Sequence, residues 1–142
     1  MNIPDLRWKA ESGSVLAQAI LGTCYLDGID VEVDYSEAFR LLSAATVHGA
    51  SRAVANLARM HAEGLGVPQN LPEAIRLYEA AGGAGEFFAQ IALGRIYSQG
   101  IGIPADPDAA IRWYSAAAAQ ADNLADCQEL REAKAYVAGS RG

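Results

Sequence analysis

The stretch that decides the fold is residues 57–81, which read LARMHAEGLGVPQNLPEAIRLYEAA. A similar stretch, LGTCYLDGIDVEVDYSEAFRLLSAA, lies 36 positions earlier, and another, LGRIYSQGIGIPADPDAAIRWYSAA, lies 36 positions later. Aligned positions carry the same kind of residue, as in the ladder of Gly28, Gly64 and Gly100. A fixed period of this length is typical of repeat architectures, in which each unit packs against its neighbours. The sequence therefore predicts three copies of one structural unit.

Each copy is predicted to contain two helices separated by a glycine turn. The first helix is expected over residues 15–26, 52–62 and 88–98, where apolar residues recur at helical spacing. A glycine follows each segment, at the place where a left-handed C-cap residue ends a helix. The second helix is expected to begin after Asp34, Asn70 or Asp106, because these residue types cap helix N-termini.

Composition also favours helices over strands. Of 142 residues, 29 are alanine, whereas only two are threonine and seven are valine. One face of each second helix is predicted to be buried, and it consists of Ala38, Leu41, Leu42, Ala45, Ala74, Leu77, Tyr78, Ala81, Ala110, Trp113, Tyr114 and Ala117. Since one helix pair cannot bury its own apolar face, the pairs must stack. The predicted fold is all-α, a right-handed α/α solenoid forming a single domain over residues 1–142, with repeats at roughly 14–49, 50–85 and 86–121.

The two ends of this array are expected to differ from the repeats. The segment Pro4 to Glu11 has the character of half a unit, and Trp8 is predicted to cover the first helix pair. At the other end the glycine ladder is lost, because its next position is Tyr136. Residues 122–138 are predicted to form a capping helix with one apolar side, made of Leu124, Cys127, Leu130 and Val137.

Charge and targeting signals exclude several classes of partner. Lys plus Arg number 11 and Asp plus Glu number 17, for a net charge of −6, which disfavours binding to nucleic acid or to anionic lipid. No apolar run approaches the length of a transmembrane helix, and the N-terminus lacks the features of a secretory signal. A cytoplasmic protein without membrane insertion is therefore expected. Cys24 and Cys127 match no zinc-ligand spacing, and both are expected to be reduced and largely buried.

The candidate catalytic and ligand-binding groups favour structural explanations. His61 belongs to a ladder of rings with Tyr25 and Tyr97, which indicates packing, and His48 is expected to end a second helix. The strings GLGVP and GIGIP follow a helix and lack the P-loop lysine, so they are interpreted as turns and not as phosphate loops. No recognisable metal-ligand or nucleophile motif is present. The sequence predicts no metal, no cofactor and no enzymatic activity.

The repeated motifs LG-x-x-Y, G-x-G and A-x-x-x-Y-x-x-A-A resemble Sel1-like repeats, which are relatives of the tetratricopeptide repeat. The resemblance covers roughly residues 13–125. The first unit departs from it, since Asp30 replaces the second glycine and Leu42 replaces the tyrosine. The resemblance implies an α/α solenoid that serves as a protein interaction scaffold, often in bacterial signalling, envelope regulation or toxin and immunity systems.

Three functions follow as hypotheses. The first is a non-enzymatic adaptor that holds a partner's peptide or helix in a concave groove, in bacterial signalling or regulation. The second is an immunity protein that neutralises a secreted toxin. The third is a small cell-wall or β-lactam hydrolase, which only analogy with some cysteine-rich relatives suggests, and this chain lacks their regular cysteine pairs.

A binding groove can be predicted if the first helices line the concave face, as the tetratricopeptide relatives imply. Arg52, Asn56 and Arg59 then share one helical stripe, and Arg59 and Arg95 are expected to be stacked neighbours about 10 Å apart. Guanidinium groups bind carboxylates bidentately, so an acidic or carboxylate-ended peptide with an apolar anchor is the expected partner. The predicted site comprises Arg52, Asn56, Arg59, Phe88, Arg95, Leu16 and Ile20. The alternative is that these arginines pair with Asp27, Glu63 and other acids of the same chain.

Overall fold

The computed structural model describes residues 2–140, and the regular structure within that range is entirely helical. This confirms the predicted all-α fold. None of these helices has both the length and the apolar character needed to cross a membrane. The helices are α1 (Ile3–Glu11), α2 (Val15–Asp27), α3 (Tyr35–Thr46), α4 (Ser51–Glu63), α5 (Leu71–Gly83), α6 (Phe87–Gln99), α7 (Pro107–Ala118) and α8 (Gln128–Ser140), with a 3₁₀ turn at Ala121–Asn123.

The chain forms two compact units, which divide within α5 between Leu77 and Tyr78. In the first unit, α2 packs against α1 and α3, and α3 packs in turn against α4. In the second unit, α7 packs against α6 and α8. Within each unit, these helices are neighbours in space as well as in sequence, as expected of a repeat chain. The assignment of all residues to one domain stays a prediction.

The second helices begin where the capping residues predict. The side chains of Asp34, Asn70 and Asp106 each accept a hydrogen bond at 3.1 Å from the backbone N–H three residues further on. These bonds satisfy N–H groups that have no partner inside the helix. The first residues of α3, α5 and α7 directly follow the three caps, so local chemistry alone determines these boundaries.

The glycine ladder ends the first helices in the predicted left-handed conformation. Gly28, Gly64 and Gly100 have φ angles of 69°, 68° and 71°, and the N–H of Gly64 donates to the carbonyl of Met60. Asp30 has a φ of 60° and is the one non-glycine residue among residues 2–140 with a positive φ. Aspartate tolerates this region better than most side chains, so the first turn keeps its geometry without the second glycine.

Small residues allow the two helices of a unit to approach closely. A Cβ atom on Gly22 would lie 2.8 Å from Cγ of Leu42, and one on Gly94 would lie 2.7 Å from the ring of Tyr114. Both distances are shorter than real carbon contacts allow. The buried stripe of the second helices is also confirmed, except that Trp113 is half-buried. These ladders therefore encode the packing within each unit.

The N-terminal helix α1 takes the place of a second helix in front of the first repeat. Nε2 of Gln18 donates to the carbonyl of Ala10 at 3.2 Å, and Nε2 of Gln90 donates to the carbonyl of Gly82 at 3.1 Å. The two glutamines lie two periods apart in the sequence. The same bond therefore joins α1 to α2 and α5 to α6, which agrees with the predicted half-unit.

The prediction that Trp8 covers the first helix pair is wrong. Its side chain is 69% exposed, whereas Ala10 is the buried residue of α1. Residues two positions apart differ by about 200° around a helix axis, so burial of Ala10 turns Trp8 outward. Arg7 makes the contact instead: its guanidinium donates to the Tyr25 hydroxyl at 2.6 Å and lies 6.0 Å from the centre of that ring.

The C-terminal helix α8 begins later than the predicted start of the capping helix at residue 122. The 3₁₀ turn precedes it, and Leu124 has the extended angles φ −127° and ψ 145°, which interrupt the helix. Leu130 and Ala133 are buried in α8. The other predicted apolar residues, Leu124, Cys127 and Val137, are partly buried around the same cluster.

Candidate functional site

An apolar cavity of about 250 Å³ lies in the first unit, where α2 and α4 carry the predicted groove residues. It is lined by Leu16, Ala19, Ile20, Thr23, Cys24, Ile29 and Arg52. Leu16, Ile20 and Arg52 were all predicted to face a groove, and they are brought together here. The assumption that the first helices line one face, which the resemblance to tetratricopeptide relatives implies, was the basis for predicting these residues.

The wall of this cavity is apolar and largely uncharged. Leu16 is 72% exposed and Ile29 is 42% exposed, although both are large hydrophobic side chains. The Cys24 thiol is buried, and burial raises its pKa above the ordinary value, with Asp30 adding to the effect. A raised pKa keeps the thiol protonated at neutral pH. The second cysteine, Cys127, is only half-buried, so the expectation of two largely buried thiols holds for Cys24 alone.

Asn56 is a buried residue of α4 that holds part of the cavity wall in place through a hydrogen bond. It is 9% exposed, and its Nδ2 donates to Oγ1 of Thr23 at 2.9 Å. The hydroxyl of Thr23 donates in turn to the carbonyl of Ala19 at 2.9 Å. The amide thus ties α4 to α2 and fixes two of the residues that line the cavity.

Arg59 is held by two carboxylates of the first unit. Its guanidinium forms an ion pair with Asp27, and its Nε lies 3.5 Å from Oε2 of Glu63. The Arg59 side chain remains 36% exposed. Asp27 follows the cavity-lining part of α2 on the same helix, so this ion pair crosslinks α2 and α4.

Arg95 is held by the C-terminal helix. Its Nε and an Nη donate to the two carboxylate oxygens of Glu132 at 2.9 and 2.7 Å, and the Tyr114 hydroxyl donates to Glu132 at 2.7 Å. The guanidinium lowers the pKa of Glu132. Burial, followed by the hydrogen bond to Glu132, raises the pKa of Tyr114. The cluster therefore keeps one carboxylate charged beside a protonated phenol.

Arg59 and Arg95 both pair with acidic residues of the same chain, which is the alternative to a peptide-binding role. Glu132 was not foreseen as a partner, since α8 lies outside the repeat and its register cannot be read from the period. Phe88 is 43% exposed and contacts the buried ring of Phe87, with 5.2 Å between the ring centres. Arg59 belongs to the first unit, and Arg95 and Phe88 belong to the second. Their convergence on one peptide stays a prediction.

The two histidines lie in different surroundings, and Nδ1 of His61 is buried with no hydrogen-bond partner among the described residues. His61 packs edge-on against Phe39, with 6.2 Å between ring centres, which agrees with the expected packing role. His48 is exposed in the turn after α3 and does not end the helix as expected. Within residues 2–140, no group of three or more histidine, cysteine or acidic residues is placed to hold a metal ion.

The fold and period together define a class of protein. Paired helices, capped alike and packed through ladders that recur every 36 residues, are the features of a helical repeat protein. A family model of the Sel1 repeat matches residues 15–46, 51–86 and 88–122. The chain belongs to the Sel1-like repeat family, a family of repeat scaffolds that commonly mediate protein–protein interactions.

Two solved structures are similar to nearly the whole chain. A Sel1 repeat protein from Oxalobacter formigenes is 38% identical, with a TM-score of 0.75, over 95% of this chain and 96% of that one. A protective antigen present in uropathogenic Escherichia coli strains, which displays an SLR fold, is 25% identical with a TM-score of 0.76. That match covers 97% of this chain and 33% of the antigen, so this chain spans about a third of the antigen's length. No curated protein matches the chain significantly.

Proposed function

We propose that this chain is a non-enzymatic adaptor that binds a peptide or helix of a partner protein through the cavity of the first unit. The observation that carries the proposal is that exposed Leu16 lines this cavity together with Ile20 and Arg52. Clusters of exposed large apolar side chains mark interaction sites more often than scattered ones do. The family's common use as an interaction scaffold supports the same function.

The proposed partner inserts an apolar side chain into the cavity. Leu16 and Ile29 lose their exposed apolar surface on binding. Full burial of a side chain of this size contributes about 1.5–3 kcal/mol, and Ile29, which is only 42% exposed, contributes correspondingly less than Leu16. The positive charge of Arg52 beside the cavity favours an acidic group next to the anchor. Arg59 contributes less than the sequence predicts, because Asp27 and Glu63 already pair with its guanidinium.

The proposal places this adaptor in bacterial signalling or regulation in the cytoplasm. Two supports are the family resemblance and the bacterial sources of the similar structures. An immunity protein would use the same surface against a toxin. A purified partner with toxic activity that the chain suppresses would therefore identify that form of the function.

The test uses a partner captured with the chain from its native host and then purified for calorimetric titration. Leu16→Asp should weaken its binding by tenfold or more, because a charge replaces the apolar wall. Leu16 is the second residue of α2, where the helix dipole favours an acidic side chain, so folding should be preserved.

Val47→Asp is the matched control, since Val47 is 80% exposed and lies outside the cavity lining. Its affinity should stay within about twofold of the wild type. Equal binding by wild type and Leu16→Asp would contradict the proposed site. Turnover of nitrocefin or peptidoglycan by the purified chain would contradict the non-enzymatic function.

A further inference from the structure

A second cleft, of about 380 Å³, lies entirely in the second unit between α5, α6 and α7. Its lining consists of Glu79, Tyr97, Ala109, Arg112, Trp113 and Ala116. Tryptophan, tyrosine and arginine are the residue types most enriched among the dominant contacts of protein interfaces. The cavity of the first unit, by comparison, has one arginine and no aromatic side chain in its lining.

Arg112 of this cleft has equivalents in the first two copies, and each of those equivalents pairs with a glutamate that the third copy lacks. Arg40, Arg76 and Arg112 are 36 positions apart, each on the second helix of its unit. The Nε of Arg40 donates to Glu37 at 2.7 Å, and the Nε of Arg76 donates to Glu73 at 2.9 Å. Both glutamates lie three residues before their arginine. The equivalent residue in the third copy is Ala109.

Because Ala109 stands where the first two copies have a glutamate, the third copy lacks both that carboxylate and the volume of its side chain. Ala109 lines the cleft, and Arg112 beside it is exposed. Among residues 2–140, no carboxylate lies within ion-pair distance of Arg112, including Asp108 one turn earlier on the same helix. Arg40 and Arg76 each pair with a glutamate of their own helix, whereas Arg112 has no such partner in α7.

Trp113 provides a rigid apolar wall next to this cation. Its equivalents, Leu41 and Leu77, are buried, whereas Trp113 is half-buried and faces the cleft. A Cβ atom on Gly82 would lie 2.9 Å from Cζ3 of the indole. The absence of a side chain at Gly82 thus lets the ring lie directly against α5. A ring held in this way loses little freedom when a ligand covers it.

The remaining carboxylate of the cleft already has a partner. The Tyr97 hydroxyl donates to Oε1 of Glu79 at 2.5 Å. Glu79 raises the pKa of Tyr97 to about 12, so the phenol stays protonated and the bond persists at neutral pH. A cationic ligand would have to compete with this bond and would face Arg112, whereas an anionic ligand would meet the arginine directly.

We propose that this cleft binds an acidic side chain of a partner protein together with an adjacent apolar residue. The partner's carboxylate pairs with Arg112 and replaces the glutamate that the first two copies supply from their own helix. The adjacent apolar side chain lies on Trp113. The surface is separate from the Leu16 cavity, so the inference does not depend on the function proposed above.

The test selects peptides from a random dodecapeptide phage library on the full chain carrying Trp8→Phe. Trp113 is then the single tryptophan, because the chain has two. Peptides that bind the cleft should contain Asp or Glu next to an apolar residue, and they should shift the emission of Trp113. Changing that acidic residue to its amide should weaken binding tenfold or more.

Three variants assign the binding to the cleft. Arg112→Gln should weaken these peptides tenfold or more, whereas Arg76→Gln, the matched control on the previous second helix, should stay within twofold. Ala109→Glu restores the intrahelical glutamate beside Arg112, so it should also weaken binding tenfold while leaving the helical circular dichroism unchanged. Unchanged circular dichroism would show that the weaker binding comes from the added internal carboxylate and not from loss of folding, which matters because Ala109 is buried.

Several results would overturn the inference. These are a library that yields no peptide sensitive to Arg112→Gln, peptides enriched in lysine or arginine, and full affinity in Ala109→Glu. Peptides that bind less tightly to Leu16→Asp but equally to Arg112→Gln would belong to the first unit's cavity. They would support the proposed function, and a library that yields only such peptides would count against this cleft.

Discussion

The link between Arg95 and the C-terminal helix can be tested with Glu132→Ala. This substitution removes the carboxylate that accepts two hydrogen bonds from Arg95 and one from Tyr114. Helix α8 packs against α7 and α6, and Glu132 makes hydrogen bonds with a residue of each. The variant should therefore destabilise the second unit more than removal of an ordinary surface charge.

The magnitude follows from the burial of the three side chains. The Arg95 and Glu132 side chains are 43% and 31% exposed, so their ion pair contributes about 0.5–1 kcal/mol after screening by solvent. Tyr114 is only 3% exposed, and a buried hydroxyl that loses its acceptor costs about 1–3 kcal/mol. The free energy of unfolding should fall by about 2 kcal/mol, and Tm should fall by roughly 6 °C.

Urea unfolding followed by circular dichroism measures this difference, and Arg131→Ala is the matched control. Arg131 lies on the same helix and pairs with Asp126, but both side chains are more than 60% exposed, so its removal should cost less than about 0.5 kcal/mol. Combining Glu132→Ala with Tyr114→Phe should recover part of the loss, because the second change removes the unsatisfied hydroxyl.

The loss of stability caused by Glu132→Ala should also become smaller at acidic pH. Arg95 lowers the pKa of Glu132 in the folded chain below its unfolded value of about 4.3. A lowered pKa contributes stability that is present above the unfolded value and is lost as pH falls through the folded value. The difference between wild type and Glu132→Ala should thus be constant from pH 6 to 8 and should shrink below about pH 4.

Two results would refute this reasoning. One is a change no larger than that of Arg131→Ala, and the other is a difference that grows in acid. Either would mean that Arg95 does not hold Glu132 in solution. In that case the guanidinium would be available to a partner, as the predicted peptide groove requires.

Three further predictions concern single residues. Gly64→Val should lower the free energy of unfolding, measured in urea, by about 1 kcal/mol or more, because φ is 68° at this position. Gly64→Asn should lower it less, since asparagine tolerates a positive φ better. Equal losses for the two variants would mean that the left-handed turn is absent. Arg59→Ala should reduce stability by less than about 1 kcal/mol in the same assay, since its ion pairs are exposed, and a larger loss would indicate a buried role. In the native chain a thiol reagent should modify Cys127 well before Cys24, because burial raises the pKa of the Cys24 thiol; equal rates would contradict its burial.

The helices and their boundaries could be predicted from the sequence because the interactions that set them are local. Asp34 caps a helix through an N–H three residues away, and Gly64 ends one through its own backbone conformation. The 36-residue period then repeats these signals and reveals which residues are buried together. Gly22 and Gly94 recur at one position of the unit, so their close packing follows from the same pattern.

The repeat period also shows which residues of the third copy differ from their equivalents. Ala109 and Trp113 differ from their equivalents in the sequence, and the arginine ladder is visible there as well. Sequence comparison within the chain could therefore have indicated an unusual third copy. That these residues border one cleft required the positions of α5, α6 and α7 in space.

What the sequence determined by itself was the set of helices, their caps and the faces they bury, since each depends on residues within one period. The tertiary structure alone decided that Trp8 points outward, that α8 begins at Gln128 and that Glu132 holds Arg95. These features lie in the terminal helices or depend on them, where no repeat fixes the rotation of a helix about its axis. Which side chains meet there depends on how separate helices dock, and docking balances contacts between residues distant in sequence.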